Sequence, residues 1–218
     1  MKLLSLPSNV LRQALRDVYF IFGDGRAVAD EIGRKHGMQV YHTCDHRHRH
    51  RDNADPALQP AMSRYAEDIP DYFAQDPEEA MRTETAIVRE FTPMAVLDLI
   101  RLSAQHGRVI CENDLDIESL VPCFTHAVTV QDSGAMEQFV RRFERHIRGR
   151  AIPEGEKERL MRGLRPAVDR CKREPLRLAE RHGAKPIAWS ADSTVERTAE
   201  AIAELFGLEH AAFPEKAE

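Results

Sequence analysis

The feature that most constrains the fold is a repeated order: a short apolar run, a polar or glycine turn, then a stretch with helical spacing. The first instance is Val18-Tyr-Phe-Ile-Phe22, then Gly23-Asp-Gly25, then Val28, Ala29 and Ile32 set against Asp30, Glu31, Arg34 and Lys35. An unbroken apolar run of this length reads as a strand covered on both faces, as strands of parallel sheets are. The spacing after it is that of an amphipathic helix, and Gly37 is placed to stop it. Gln39-Val-Tyr-His-Thr43 follows as a second strand, completing a strand–helix–strand unit with parallel strands and a right-handed crossover. Arg108–Cys111, Ala127–Val130 and Pro186–Trp189 read as three more strands, so the expected fold is α/β, a doubly wound parallel sheet of five strands with helices on both faces.

The helices can be placed by their punctuation. Val10–Leu15 reads as a lead-in helix. Asp76-Pro-Glu-Glu79 opens another, because Asp caps, Pro fits the first turn and acids favour the positive end. It runs to about Gln105 with Met94, Leu97, Ile100 and Leu102 as apolar contacts, and Pro93 predicts two helices or one bent helix. Ser193-Thr-Val-Glu196 has a capping-box pattern and opens a closing helix with Val195, Ala199, Ile202 and Phe206 on one stripe. Residues 42–50, rich in histidine, are expected to form a polar loop. Residues 133–183, rich in Arg and Glu, read as a helical excursion. The domain reading is one core of residues 1–132 and 184–210, an inserted helical segment at 133–183 and a flexible tail at 211–218.

Charge excludes one class of function. With 31 Lys and Arg against 36 Asp and Glu, the formal net charge is −5, without the basic surplus that gripping a phosphate backbone requires. No apolar run approaches the ~20 residues of a membrane helix, and the apolar run before Pro7 is too short for a secretory signal. Cys44, Cys111, Cys123 and Cys171 form no CxxC pair, so free thiols and a cytoplasmic location are expected.

In an open parallel sheet the ligand sits beyond the carboxyl ends of the strands. Those ends carry Gly23-Asp-Gly-Arg26, Asp45-His-Arg47, Glu112-Asn-Asp114 and Asp132. A glycine turn feeding a helix N-terminus is suited to phosphate, because unpaired amides and the helix dipole both favour an anion there. The plain alternative is an ordinary strand-to-helix turn.

The chain resembles the P-loop small-molecule kinases, the group of shikimate, gluconate and nucleoside kinases. The resemblance rests on Val18–Gly23 running into Val28–Ile32, on Tyr41-His-Thr-Cys-Asp45, on Val109-Ile-Cys-Glu112, and on Asp192–Glu196 through Phe206-Gly207. It implies a P-loop NTPase-type three-layer sandwich with a helical lid at 133–183. The implied activity is Mg2+-dependent transfer of a phosphoryl group from ATP to a small hydroxylated acceptor, such as a nucleoside or sugar-like compound. Gly23, Asp24, Gly25, Arg26 and Ala27 would then bind the nucleotide, Asp45 would orient the acceptor hydroxyl and take its proton, and Arg26 would assist. Glu112 and Asp114 would hold Mg2+; Arg47, Arg64 and Tyr65 would contact the acceptor; Arg141, Arg142 and Arg145 would close over the transferring group. The implied partners are a nucleotide and a small acceptor, without nucleic acid or membrane, and a homodimer is an option. An Asx turn at Asp45, solvated loop acids at Glu112 and Asp114, and solvated helix arginines are the plain alternatives.

The turn departs from the family's GxxxxGK[ST]. One residue separates the two glycines where the family has four, Arg26 stands for lysine, and Ala27 has no hydroxyl for Mg2+. Two other functions therefore stand beside the kinase: a catalytically silent nucleotide- or phosphate-binding protein, and a metal-binding protein using His42, His46, His48 and His50 with Cys44 and Asp45. Trp189 is expected either in the core or bordering a base.

Overall fold

The computed structural model describes residues 7–64, 76–112, 114–189 and 193–208. The expected tail at 211–218 and Tyr65 lie outside them. Five parallel strands form one sheet: β1 (Val18–Gly23), β2 (Gln39–His42), β3 (Val109–Glu112), β4 (His126–Asp132) and β5 (Lys185–Trp189). Their spatial order is β2-β3-β1-β4-β5. From β1 the chain passes through α2 (Arg26–His36) to β2, skipping one place, and α5 (Pro77–His106) returns it to fill the gap with β3. Strands β4 and β5 are added on the other side of β1. This reversal of direction at β1 leaves a crevice at its carboxyl end.

The unbroken apolar run of β1 serves two cores. Val18, Phe20 and Phe22 face a cluster that includes Leu11 of α1 (Ser8–Ala14), Phe91 and Leu99 of α5, and Leu176 of α9 (Glu174–Arg181). Tyr19 and Ile21 face the other side, against Val28 and Ile32 of α2 and Ile202 of α10 (Val195–Leu205). Helices therefore cover both faces of the sheet. Each such buried aromatic or aliphatic side chain contributes roughly 1.5–3 kcal/mol, so β1 is the main anchor of both layers.

The excursion after β4 consists of α7 (Ser133–Gly149), α8 (Glu154–Val168), one π turn (Asp169–Arg173) and α9. Val140, Phe143 and Ile147 of α7 meet Leu160 and Leu164 of α8, and both meet Ala80 and Met81 of α5 in a small core of their own. By contrast, α9 places Leu176 and Ala179 in the core of the sheet. Trp189 packs at the margin of the second core, as the core reading of its ring expects.

Two expectations need correction, at residues 42–50 and at the cap of α10. The histidine-rich stretch is not a loop but α3 (Thr43–Arg51). It contains neither Gly nor Pro, its first turn carries Asp45, its last turn carries His and Arg, and Thr43 and Arg47 are buried one turn apart. Of the two options at Pro93 the structure has the single helix, α5 continuing through it over 30 residues. Its opening is as predicted, with the Asp76 carboxylate accepting from the Glu78 amide at 2.9 Å. The cap of α10 is Thr194 rather than Ser193, its hydroxyl accepting from the Arg197 amide at 3.3 Å. Two short helices, α4 (Pro60–Arg64) and α6 (Ile117–Leu120), complete the described chain. All four cysteines are free, and among the described residues no helix is long and apolar enough to cross a membrane.

Candidate functional site

The turn between β1 and α2 is tight. Gly23 has φ +94°, and a Cβ there would run into the carbonyl oxygen of Val130 on β4. Gly25 lies against the Ile21 side chain. The Asp24 amide donates to Val130 O at 3.1 Å and the Gly25 amide to Gly23 O at 2.9 Å. Two amides that a longer loop would aim at a phosphate are thus directed into the protein. Ala27 is exposed in the first turn of α2 and presents only a methyl group.

Arg26 does not reach into open space. Its Nη1 donates to Asp45 Oδ1 at 3.0 Å and to Cys44 Sγ at 3.0 Å, and its Nη2 donates to Asp45 Oδ2 at 2.7 Å. The fork matches the carboxylate as bidentate pairs do. This guanidinium holds the Asp45 carboxyl down at about 2 and is itself pushed up by the same contact. The Cys44 thiol is pushed up, first by burial and then by Asp45, so it is not a poised nucleophile. Replacing Arg26 with alanine should return Asp45 to the ordinary range near 4 in a carbon-detected NMR titration and leave the melting temperature nearly unchanged, because both groups are half exposed. A titration still centred near 2 would mean that another group controls Asp45.

Behind this pair stands a second cluster. His42 at the end of β2 reaches Glu112 Oε2 through Nδ1 at 3.0 Å and Asp30 Oδ1 through Nε2 at 2.8 Å. Burial at the end of β3 pushes the Glu112 carboxyl up, and His42 opposes that shift. Asp114 belongs to a third cluster. Arg47 lies 3.0 Å from Glu84 and 3.2 Å from Asp114, and Lys172, carried inward on the π turn, lies 3.7 Å from Glu84 and 3.5 Å from Asp114. Two cations and two carboxylates from α3, α5, the segment after β3 and the excursion thus form one neutral quartet.

Glu84, Asp114 and Lys172 of the quartet stand on the wall of a cleft of about 1080 Å3 that opens at the carboxyl ends of β1 and β3. Phe22, Gly23 and Asp24 lie at one side, and the rest of the wall mixes cations, among them Arg82 and Arg89 of α5 and Arg170 and Lys172 of the π turn, with acids, among them Glu78 and Glu90 of α5 and Asp116 and Glu118. Arg170 pairs with Glu78 at 2.9 Å and Arg89 with Glu118 at 3.1 Å, both on the surface.

The structure thus brings together Gly23, Asp24, Gly25, Arg26, Ala27 and Asp45, and sets Glu112 close behind them. Glu112 and Asp114 serve separate clusters. Arg47 is buried in the quartet, and Arg64 is exposed at the end of α4. Arg141 pairs with Glu137 at 3.4 Å on the surface, Arg142 and Arg145 are exposed, and none of the three lines the cleft. The histidines take different partners: His42 as above, His46 on the Tyr41 ring, His48 beside Arg51 and His50 on Asp98. Among the described residues no three His, Cys, Asp or Glu side chains gather to hold a metal.

Sequence reasoning missed Glu84 and Lys172. Glu84 had a signal: it interrupts the stripe Ala80, Met81, Ile87, Phe91, Ala95 and Leu99, and a carboxylate on a buried stripe calls for a cation. Lys172 sits in a run of charges and had none. Compared with known proteins, the chain matches no family model, no curated protein and no solved structure.

Proposed function

We propose that the chain is a P-loop-kinase-like three-layer protein that binds a nucleotide or another phosphate-bearing small molecule without transferring its phosphoryl group. The observation that carries the absence of transfer is the closed glycine turn: the Asp24 and Gly25 amides are hydrogen-bonded within the fold, and both arms of Arg26 are held by Asp45. The cleft beside the turn supplies the binding side. Arg170 and Arg89 hold their acids in exposed pairs, which a phosphate can displace at little cost.

The donor set does not fit a Mg2+-bound triphosphate. Ala27 lacks the hydroxyl, Glu112 is engaged by His42, and Asp114 already faces two cations. Without a positioned metal and a free amide cradle, little is left to stabilise the transferring group.

The test uses the full chain. ATP, ADP and pyrophosphate should each raise the melting temperature by several degrees, equally with Mg2+ or EDTA, and the effect should fade with added salt. Phosphorus NMR with ATP, Mg2+ and a panel of hydroxylated acceptors should show no ADP above background. The absence of any stabilisation would remove the binding reading, and acceptor-dependent ADP formation would replace it with a phosphotransferase.

A further inference from the structure

A second pocket lies away from the cleft, between α3 and α5 at the β2 edge of the sheet, with a volume of about 480 Å3. That is within the ~300–1,000 Å3 range of small-molecule sites. Its centre is Asp98 of α5, whose side chain is 14% exposed. This one carboxylate accepts from Arg49 at 2.8 Å and from Tyr41 Oη at 3.3 Å, and it meets His50 Nε2 at 2.8 Å. Arg101, one turn further along α5, stands 3.7 Å away.

These contacts fasten α3 to α5, but they leave charge over. Among the described residues lining the pocket, Asp98 is the one acid, while Arg49 and Arg101 are both cations. Counted over the permanent charges alone, two guanidinium groups against one carboxylate leave the rim one surplus positive charge. Burial and the neighbouring Arg49 hold His46 below the usual imidazole range, which keeps it out of that count near neutral pH. The two guanidinium groups are 58% and 70% exposed, so their outer donors face the solvent.

The rest of the wall is apolar or aromatic. Met94, Leu97 and Leu102 of α5 line one side, and Leu97 is 38% exposed. On the other side the His46 imidazole lies flat on Tyr41, centroids 4.1 Å apart and planes 7° apart.

We propose that this pocket binds a small organic monocarboxylate, its apolar or aromatic body against Leu97, Met94 and His46 and its carboxylate on Arg49 and Arg101. The single surplus charge selects the class. A phosphate monoester carries about −1.5 to −2 at neutral pH and would leave excess negative charge beside Asp98. Planar guanidinium forks suit a carboxylate, and a flat ring suits the imidazole face. This site is separate from the cleft, and neither reading depends on the other.

The probe is 1-naphthoate, compared with 1-naphthylmethanol and 1-naphthyl phosphate by saturation-transfer NMR and calorimetric titration of the full chain. Naphthoate should bind with a Kd near or below 1 mM, at least tenfold tighter than the alcohol and tighter than the phosphate ester. Arg101→Gln, at an exposed position, should weaken naphthoate fivefold or more without changing the melting temperature, and Leu97→Asp should abolish binding. Asp98→Asn, if it folds, should bring the phosphate ester level with naphthoate. Equal affinity for the alcohol and the acid, an unchanged Kd in Arg101→Gln, or no naphthoate signal at millimolar concentration would each overturn the proposal.

Discussion

Replacing Arg47 with alanine is expected to destabilise the protein by about 3–5 kcal/mol, the usual consequence of breaking a buried ion pair from one side. The Arg47 side chain is 5% exposed, and its loss leaves Glu84 and Asp114 with Lys172 as their only remaining partner in the quartet. The double variant Arg47→Met with Glu84→Gln removes one charge of each sign and keeps Lys172 opposite Asp114. It should therefore lose clearly less than the two single changes summed, a coupling that a urea-unfolding cycle reads directly. Strict additivity would show that the four residues do not act as a unit. The quartet also predicts acid lability. Burial disfavours the charged form of Asp114, but Lys172 and Arg47 overcome this and hold its carboxyl below the usual range. A group depressed on folding stabilises above its unfolded value near 4, and that contribution is lost as pH falls through the folded value. Urea midpoints taken from neutrality down to pH 3 should fall most steeply in that window, and Arg47→Ala should make the fall shallower, because Asp114 is then less depressed.

The second large effect is expected at the glycine turn. Gly23→Ala should lose about 2–5 kcal/mol, summing a left-handed backbone cost of roughly 1–2 and an overpacking cost of roughly 1–3. The obstacle is the Val130 main chain, which pairs with Gly23 and also receives the Asp24 amide. A side chain could rotate away, but a carbonyl in the β1–β4 ladder cannot move without parting the strands. Gly37→Ala is the control: φ is +62° there, yet a Cβ would meet nothing within 4 Å. It should lose only the backbone share, about 1–2 kcal/mol. Equal losses at the two positions would mean that the close approach to β4 adds nothing.

The fold was legible wherever burial left a one-dimensional pattern. Val18–Phe22 is apolar throughout because both faces of β1 are covered, and Asp76-Pro-Glu-Glu79 encodes a helix start through its own hydrogen bond. The order of strands was not legible, because placing β3 between β1 and β2 depends on how α5 packs and not on any local spacing. Helix α3 was misread for a related reason. Its buried face is Thr43 and Arg47, and a buried arginine leaves no apolar stripe. The candidate site was half legible. Glycines, Arg26 and Asp45 announced themselves at strand ends, but the Arg26–Asp45 pairing joins residues 19 apart in sequence, and Glu84 finds Arg47 across 37. Matching of charges over such distances has no sequence period.

Helix α5 carries Glu84 toward the cleft and Asp98 toward the second pocket, fourteen residues further on. At ~1.5 Å of rise per residue the two stations are about 21 Å apart along a single rod. Losing or gaining one residue between them would swivel one station by roughly 100° against the other, so that no compensating change at either end could seat both. The span from 85 to 97 is therefore a keyed shaft: its exposed positions can drift in composition, but its count of residues is fixed by the two recesses that it joins.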